Sequence, residues 1–159
     1  MPFTLNNELD AFDARILAEL QADARLTMAE LGRRVHLSQP AVTERVRKLE
    51  TAGIITGYRA VVSPAALGYG IRAIVRVGRS EFEKMLRLIH ETPEVTTAHN
   101  VTGEDSWILE IAVRDVAHLD TVVSRFCEQA ITSTAIILKS PREAHALAPA
   151  DLLRRPTAR

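Results

Sequence analysis

The sequence predicts an α+β chain in which three N-terminal helices precede a β-α-β-β-α-β unit. Three observations carry this reading. Apolar residues recur at helical spacing as far as Leu49. Strict alternation of apolar residues appears instead in Ile71–Val77 and Trp107–Val113. Between the two regimes lies Ser63–Gly70, punctuated by Pro64, Gly68 and Gly70.

The elements follow in order. Leu9, Phe12, Ile16 and Leu20 mark an amphipathic first helix, Asp10 to about Ala22, with Asp10 able to cap it. Thr27-Met28-Ala29-Glu30 has the capping-box spacing and opens a second helix with Met28, Leu31 and Val35 on one face. After the short connection His36-Leu37, Ser38 is placed to cap a third helix, and Pro40 is tolerated in its first turn because an N–H there has no partner to lose. Val42, Val46 and Leu49 form its buried stripe, and Gly53 suits a left-handed cap. Apolar residues around Gly57, from Ile54 to Val62, suggest a small wing or hairpin.

In the second half, Ile71, Ala73, Val75 and Val77 give one face of a strand. Ser80 and Glu83 have capping-box spacing, Phe82, Met85, Leu86 and Ile89 follow at helical spacing, and Pro93 ends that helix. Val95–Val101 reads as a weaker strand, Gly103-Glu104-Asp105 as a turn, and Trp107, Leu109, Ile111 and Val113 as a strand. Val116, Leu119, Val123, Phe126 and Ala130 mark a helix, and Thr132–Lys139 a last strand. That order is expected to fold as a ferredoxin-like antiparallel sheet with both helices on one face. The expected division is 1–62 for a winged helix-turn-helix domain, 63–70 for a linker, 71–141 for the ferredoxin-like unit and 142–159 for a tail that is partly helical at most.

Composition narrows the function. With 159 residues, 47% hydrophobic and 25% charged, the chain suits a globular protein of one or two domains. No apolar run approaches the roughly 20 residues of a membrane span, and Met1–Leu9 lacks the pattern of a signal peptide, so a cytoplasmic location is expected. The one cysteine, Cys127, falls on the apolar side of its helix and is expected to be a buried thiol; it excludes an internal disulfide. The histidines show no zinc-ligand spacing; His90 reads as an exposed helix end, and no nucleophile–base arrangement or phosphate loop appears. No catalytic residue, metal or cofactor is therefore expected.

Net charge is zero, but its distribution is uneven: between Leu31 and Lys48 stand Arg33, Arg34, Arg45, Arg47 and Lys48 against Glu44 alone. Such a segment serves as an electrostatic footprint for DNA, or simply as a solvated helical surface. Two helices joined by a short turn, the second capped by serine, form the DNA-binding supersecondary unit. The third helix presents Pro40, Glu44, Arg47, Lys48 and Thr51 opposite its buried stripe, with Gln39 and Thr43 at the flanks. The candidate contacts to double-stranded DNA are Ser38, Gln39, Pro40, Thr43, Arg45, Arg47 and Lys48, of which Gln39, Thr43 and Arg47 have donors and acceptors suited to base edges. Glu44 repels phosphate; its bland role is an i,i+4 pair with Lys48.

Several stretches resemble the Lrp/AsnC, or feast/famine, regulators. They are Asp10-Ala11-Phe12-Asp13-Ala14-Arg15-Ile16-Leu17, Leu37-Ser38-Gln39-Pro40, Arg45-Val46-Arg47-Lys48-Leu49-Glu50, Gly53-Ile54-Ile55, Gly57-Tyr58, Val101-Thr102-Gly103 and the closing Thr134-Ala135-Ile136-Ile137-Leu138. The resemblance spans roughly residues 9–140. It implies a transcription regulator that responds to a small molecule, an amino acid. It also implies sheet-to-sheet dimers, often assembled into octameric rings, with effectors bound between dimers. The implied effector region runs from His99 and Val101 through Gly103, Glu104, Asp105 and Ser106 to Trp107, near Ala135 and Ile136. The family usually carries Gly-x-x-Asp before an aromatic at this turn. Here Ser106 occupies the aspartate slot, and the carboxylates Glu104 and Asp105 come earlier. A different reading, without DNA, is a small-molecule-binding or enzyme-associated module whose helical domain serves oligomerisation.

Overall fold

The computed structural model describes residues 9–142 and 146–149. The described residues divide into two compact units: the first contains residues 9–60 together with Arg142 and residues 146–149, and the second spans Val61–Pro141.

The first unit contains α1 (Ala11–Ala22), α2 (Met28–Val35) and α3 (Gln39–Thr51). Their stripes meet in a core of Ile16, Leu20, Leu26, Leu31, Val35, Val42, Val46 and Leu49. Each helix begins with a cap. The Asp10 carboxylate accepts from the Phe12 and Asp13 N–H groups, and the Asp13 carboxylate accepts in return from the Asp10 N–H, completing a reciprocal box. At α2 only half of the expected box forms. Thr27 accepts from the Glu30 N–H, whereas the Glu30 carboxylate pairs with Arg34. Ser38 Oγ accepts from the Ala41 N–H at the start of α3.

The two helix ends are closed by paired backbone bonds. After α3, the Ile54 N–H reaches Leu49 O and the Gly53 N–H reaches Glu50 O, with Gly53 at φ +69°. After α2 the same pattern joins Leu37 N–H to Gly32 O and His36 N–H to Arg33 O, with His36 as the left-handed residue. The α2–α3 turn is tight enough that a Cβ on Gly32 would stand 2.7 Å from Leu37 O.

Two expectations for this unit are corrected. Phe12 is only half-buried; its ring lies outside the core, beneath the guanidinium groups of Arg15 and Arg45 at 4.7 and 5.4 Å. The wing over residues 54–62 does not form, because no strand occurs there. Ile54 and Ile55 instead pack onto the three-helix core, and Tyr58 turns back to donate to Glu50 at 2.9 Å.

In the second unit, β1 (Ile71–Val77), β2 (Val95–Asn100), β3 (Trp107–Val113) and β4 (Thr132–Ile136) form one antiparallel sheet in the order β2-β3-β1-β4. Helices α4 (Phe82–His90) and α5 (Val116–Cys127) connect them. Ala73, Val75 and Val77 of β1 join Trp107, Leu109, Ile111 and Val113 of β3 in a core closed by Met85, Ile89, Leu119, Val122 and Phe126 from the helices. The period-two pattern therefore sends one side of the sheet to the helices and leaves Arg72, Ile74, Arg76, Ile108 and Glu110 on the other. The segment 63–70, expected as a linker, falls within this second unit and contains a short 3-10 turn, Ala65–Leu67.

Here too some details differ. The cap of α4 is Glu81, which makes no side-chain cap bond, so the box read from Ser80 and Glu83 is absent; Ser80 Oγ is buried without a partner. Phe82 is 49% exposed, its ring tilted against Trp107 with centroids 5.3 Å apart, and Val116 is also exposed. The last strand ends at Ile136 rather than Lys139. Cys127 is exposed, not buried, with Sγ 2.9 Å from Thr132 Oγ1. Among the described residues no helix is long and apolar enough to cross a membrane, and no cluster of three or more potential metal ligands occurs.

Candidate functional site

The exposed face of α3 is built by its cap and its stripe. Ser38 fixes where the helix starts, and burial of Val42, Val46 and Leu49 fixes its rotation, so Gln39, Pro40, Thr43, Glu44, Arg47 and Lys48 are turned to solvent. Thr43 Oγ1 donates to Gln39 O at 2.8 Å, which leaves its hydroxyl free to accept. Arg47 is held by Glu44 through two bonds, Nε to Oε2 at 3.0 Å and Nη2 to Oε1 at 2.8 Å. This guanidinium lowers the Glu44 carboxyl below the ordinary carboxylate value, chiefly through those hydrogen bonds. The bland partner expected for Glu44, Lys48, stands farther off at 4.0 Å.

Arg45 points elsewhere. Its guanidinium pairs with Asp13 at 2.7 Å and Asp10 at 2.8 Å and lies over the Phe12 ring, so it joins α3 to the start of α1. The Asp10 carboxyl is held below its usual range, first by the Asp13 backbone N–H and further by Arg45. Arg34 is likewise engaged by Glu19 and Glu30, both at 3.0 Å. The cationic segment seen in the sequence is thus largely compensated within the unit. Among the described residues Arg33 carries no ion pair, and Lys48 has only its distant carboxylate. Sequence reasoning missed the Asp10–Asp13 cradle, although two carboxylates three apart at a helix start give a signal that could have found it.

The second candidate region is the turn joining β2 to β3. Val101 N–H donates to Ser106 O, and the Asn100 side chain donates to the same carbonyl at 2.8 Å. The Ser106 N–H in turn donates to Val77 O, which joins the turn to the end of β1. Gly103 sits at φ +118°, a conformation that side-chain-bearing residues rarely adopt. Asp105 is bound by Arg76, at 2.8 Å from Nε and 2.7 Å from Nη2, whereas Glu104 is exposed and has no ion pair among the described residues. His99 is exposed on β2, opposite Ile108. Trp107 is buried against the helices. Ala135 and Ile136 lie on edge strand β4 opposite Ile74 and Ala73, while the turn lies beyond the Val77 end of the sheet. A single chain therefore brings His99, Val101 and Gly103–Trp107 together and leaves Ala135 and Ile136 several rungs away.

Comparison with known proteins agrees along the chain. Residues 9–50 match the AsnC-type helix-turn-helix domain, and residues 72–147 match the Lrp/AsnC ligand binding domain. An HTH-type transcriptional regulator of Mycobacterium tuberculosis is 39% identical over 75% of this chain and 82% of its own. The leucine-responsive regulatory protein of Rhizobium meliloti is 40% identical over 73% of this chain and 78% of its own. Among solved structures, Bacillus subtilis LrpC is 33% identical with a TM-score of 0.81, covering 86% of this chain and 99% of that one. A transcriptional regulator from Neisseria meningitidis, in complex with L-Met, is 30% identical with a TM-score of 0.84, covering 91% and 99%.

Proposed function

Because the chain belongs to the Lrp/AsnC family of transcription regulators, we propose that it reads DNA with the exposed face of α3 and responds to an amino acid through its second unit. The observation that carries this reading is the α2–α3 pair itself: a tight turn, a serine-capped second helix and an outward face of Gln39, Thr43 and Arg47. Residues near the start of such a helix meet base edges, and later cations meet phosphate. Gln39, Thr43 and Arg47 are assigned to bases, Lys48 and Ser38 to the backbone, and Pro40 to shaping the first turn. Arg45 is assigned to orienting α3, because its donors are already directed at Asp10 and Asp13.

The effector assignment rests on the turn at Gly103 and on relatives. The Neisseria regulator, and a Mycobacterium tuberculosis feast or famine regulatory protein 32% identical to this chain, are both complexed with L-methionine. With Asp105 directed at Arg76, Glu104 and Ser106 are the acceptors available for a ligand ammonium, and N–H groups near Gly103 suit its carboxylate. Dimers joined through the open sheet faces and assembled into larger rings bring Ala135 and Ile136 of another copy within reach. The test is a gel-shift and nuclease-protection assay on the DNA upstream of the chain's own gene, with and without an amino-acid panel. A protected site whose occupancy changes with one amino acid supports the reading. Absence of any protected site favours a ligand-binding module whose helices serve assembly.

A further inference from the structure

On the exposed face of α3, the Glu44 carboxylate sits where DNA is to approach, and it occupies two donors of the cation best placed to read that DNA. Both partners are solvated, with side chains 67% exposed for Arg47 and 48% for Glu44. Exposed pairs of this kind contribute little to stability. An anion on this face also opposes the phosphate field that supplies non-specific affinity. The other carboxylate of α3, Glu50, is engaged by the Tyr58 hydroxyl.

We propose that Glu44 is a specificity-determining residue: it holds Arg47 back on arbitrary DNA and releases it where a cytosine amino group takes Arg47's place. The release works by donor exchange. A carboxylate in the major groove accepts from the N4 amino group of cytosine, and a freed guanidinium donates to O6 and N7 of guanine. On a matching G·C-containing step both groups regain partners, Glu44 on a cytosine and Arg47 on a guanine. Adenine's amino group is a poorer substitute, because the N7 acceptor beside it repels the second carboxylate oxygen, and where neither amino group is in reach Arg47 can leave Glu44 only by abandoning a carboxylate that then faces the groove without a donor. The pair therefore penalises wrong sequences more than it strengthens right ones. This assignment rests on the DNA-reading role proposed for α3.

The experiment uses the full chain, a randomised duplex pool and one duplex of arbitrary sequence, titrated over roughly 50–300 mM salt. Wild type is expected to enrich a cytosine at one position of each half-site. Glu44→Ala is expected to lose that preference, to bind the arbitrary duplex more tightly, and to steepen the log–log salt slope by about one. Its ratio of specific to arbitrary binding should fall about fivefold or more. Glu44→Gln, uncharged but able to donate and accept, should also bind arbitrary DNA more tightly while shifting the enriched position toward adenine. Thermal melts followed by circular dichroism identify a variant that is merely unfolded. Failure of wild type to enrich any sequence overturns the DNA-reading function and this assignment with it. Enrichment by wild type, with unchanged preference and salt slope in a folded Glu44→Ala protein, overturns this assignment alone.

Discussion

At the scale of single residues, the charges near the helix-turn-helix divide into those that hold the unit together and those left for a partner. Arg45 and Arg34 are committed to carboxylates of neighbouring helices, and Arg47 is only lightly held by an exposed one. Arg47→Ala should therefore weaken binding to the chain's own operator by about 1–3 kcal/mol, whereas Arg142→Ala, beyond the last strand, should leave it near wild type. Equal affinity of Arg47→Ala and wild type at matched salt would refute the contact. Tyr58 offers a test of the segment that replaces the wing. Partial burial of the half-exposed ring, assisted by its bond to Glu50, pushes its phenol from 10.0 up to about 12. A raised folded value favours the neutral phenol, so this contribution to stability is complete below pH 10 and is lost as pH rises toward about 12. Absorbance titration near 295 nm should show a late-ionising tyrosine in wild type that moves down in Glu50→Gln. A titration identical in the two proteins would separate Tyr58 from Glu50.

At the scale of elements, the α2–α3 turn depends on a glycine that composition alone does not mark as special. Gly32 lies inside α2, where alanine is ordinarily the better helix former, yet an added Cβ meets Leu37 O at 2.7 Å. Gly32→Ala is expected to destabilise the first unit by about 1–3 kcal/mol and to lower its melting temperature; a gain in stability would show that the turn can yield. Helices α1–α3 and strands β1 and β3 were legible because their periodicity and caps are local. The wing was misread because Ile54 and Ile55, at the start of the apolar stretch, pack half-buried against the helices rather than pairing in a strand, and an apolar pattern alone does not distinguish the two. Phe12 and Cys127 were misplaced because each lies at the margin of its apolar stripe, where neighbours decide burial. The face of α3 was legible from its spacing. The partners of its cations were not, since Asp10 and Asp13 are distant in sequence from Arg45, and a helix surface allows Glu44 to choose between residues three and four away.

At the scale of the whole molecule, the proposed function has copies of the chain meet and a ligand felt. The sheet face opposite the helices carries Ile74, 37% exposed, and Ile108, and beside them Arg72 Nε donates to Glu110, the residue opposite Ile74, at 3.0 Å. A face that mixes apolar residues with charges of both signs can pair with its own copy across a two-fold axis, so Ile74→Asp and Ile108→Asp should each move the size-exclusion profile toward monomer. An unchanged profile in both would exclude that face. The ligand question turns on Gly103. A Cβ there would touch nothing within 4 Å, so a substitution is resisted by conformation and not by space. At φ +118° a valine is strained, and the turn must reshape to admit it. Reshaping moves the N–H groups proposed to receive a ligand carboxylate, while the core behind Trp107 stays as it is. Calorimetry with the twenty amino acids at millimolar concentration should find at least one that binds wild type and loses affinity for Gly103→Val, with the dimer profile unchanged. Because Ser106 offers only a hydroxyl to a ligand ammonium, Ser106→Asp should tighten that same ligand. Binding that is indifferent to both substitutions would move the effector site away from this turn.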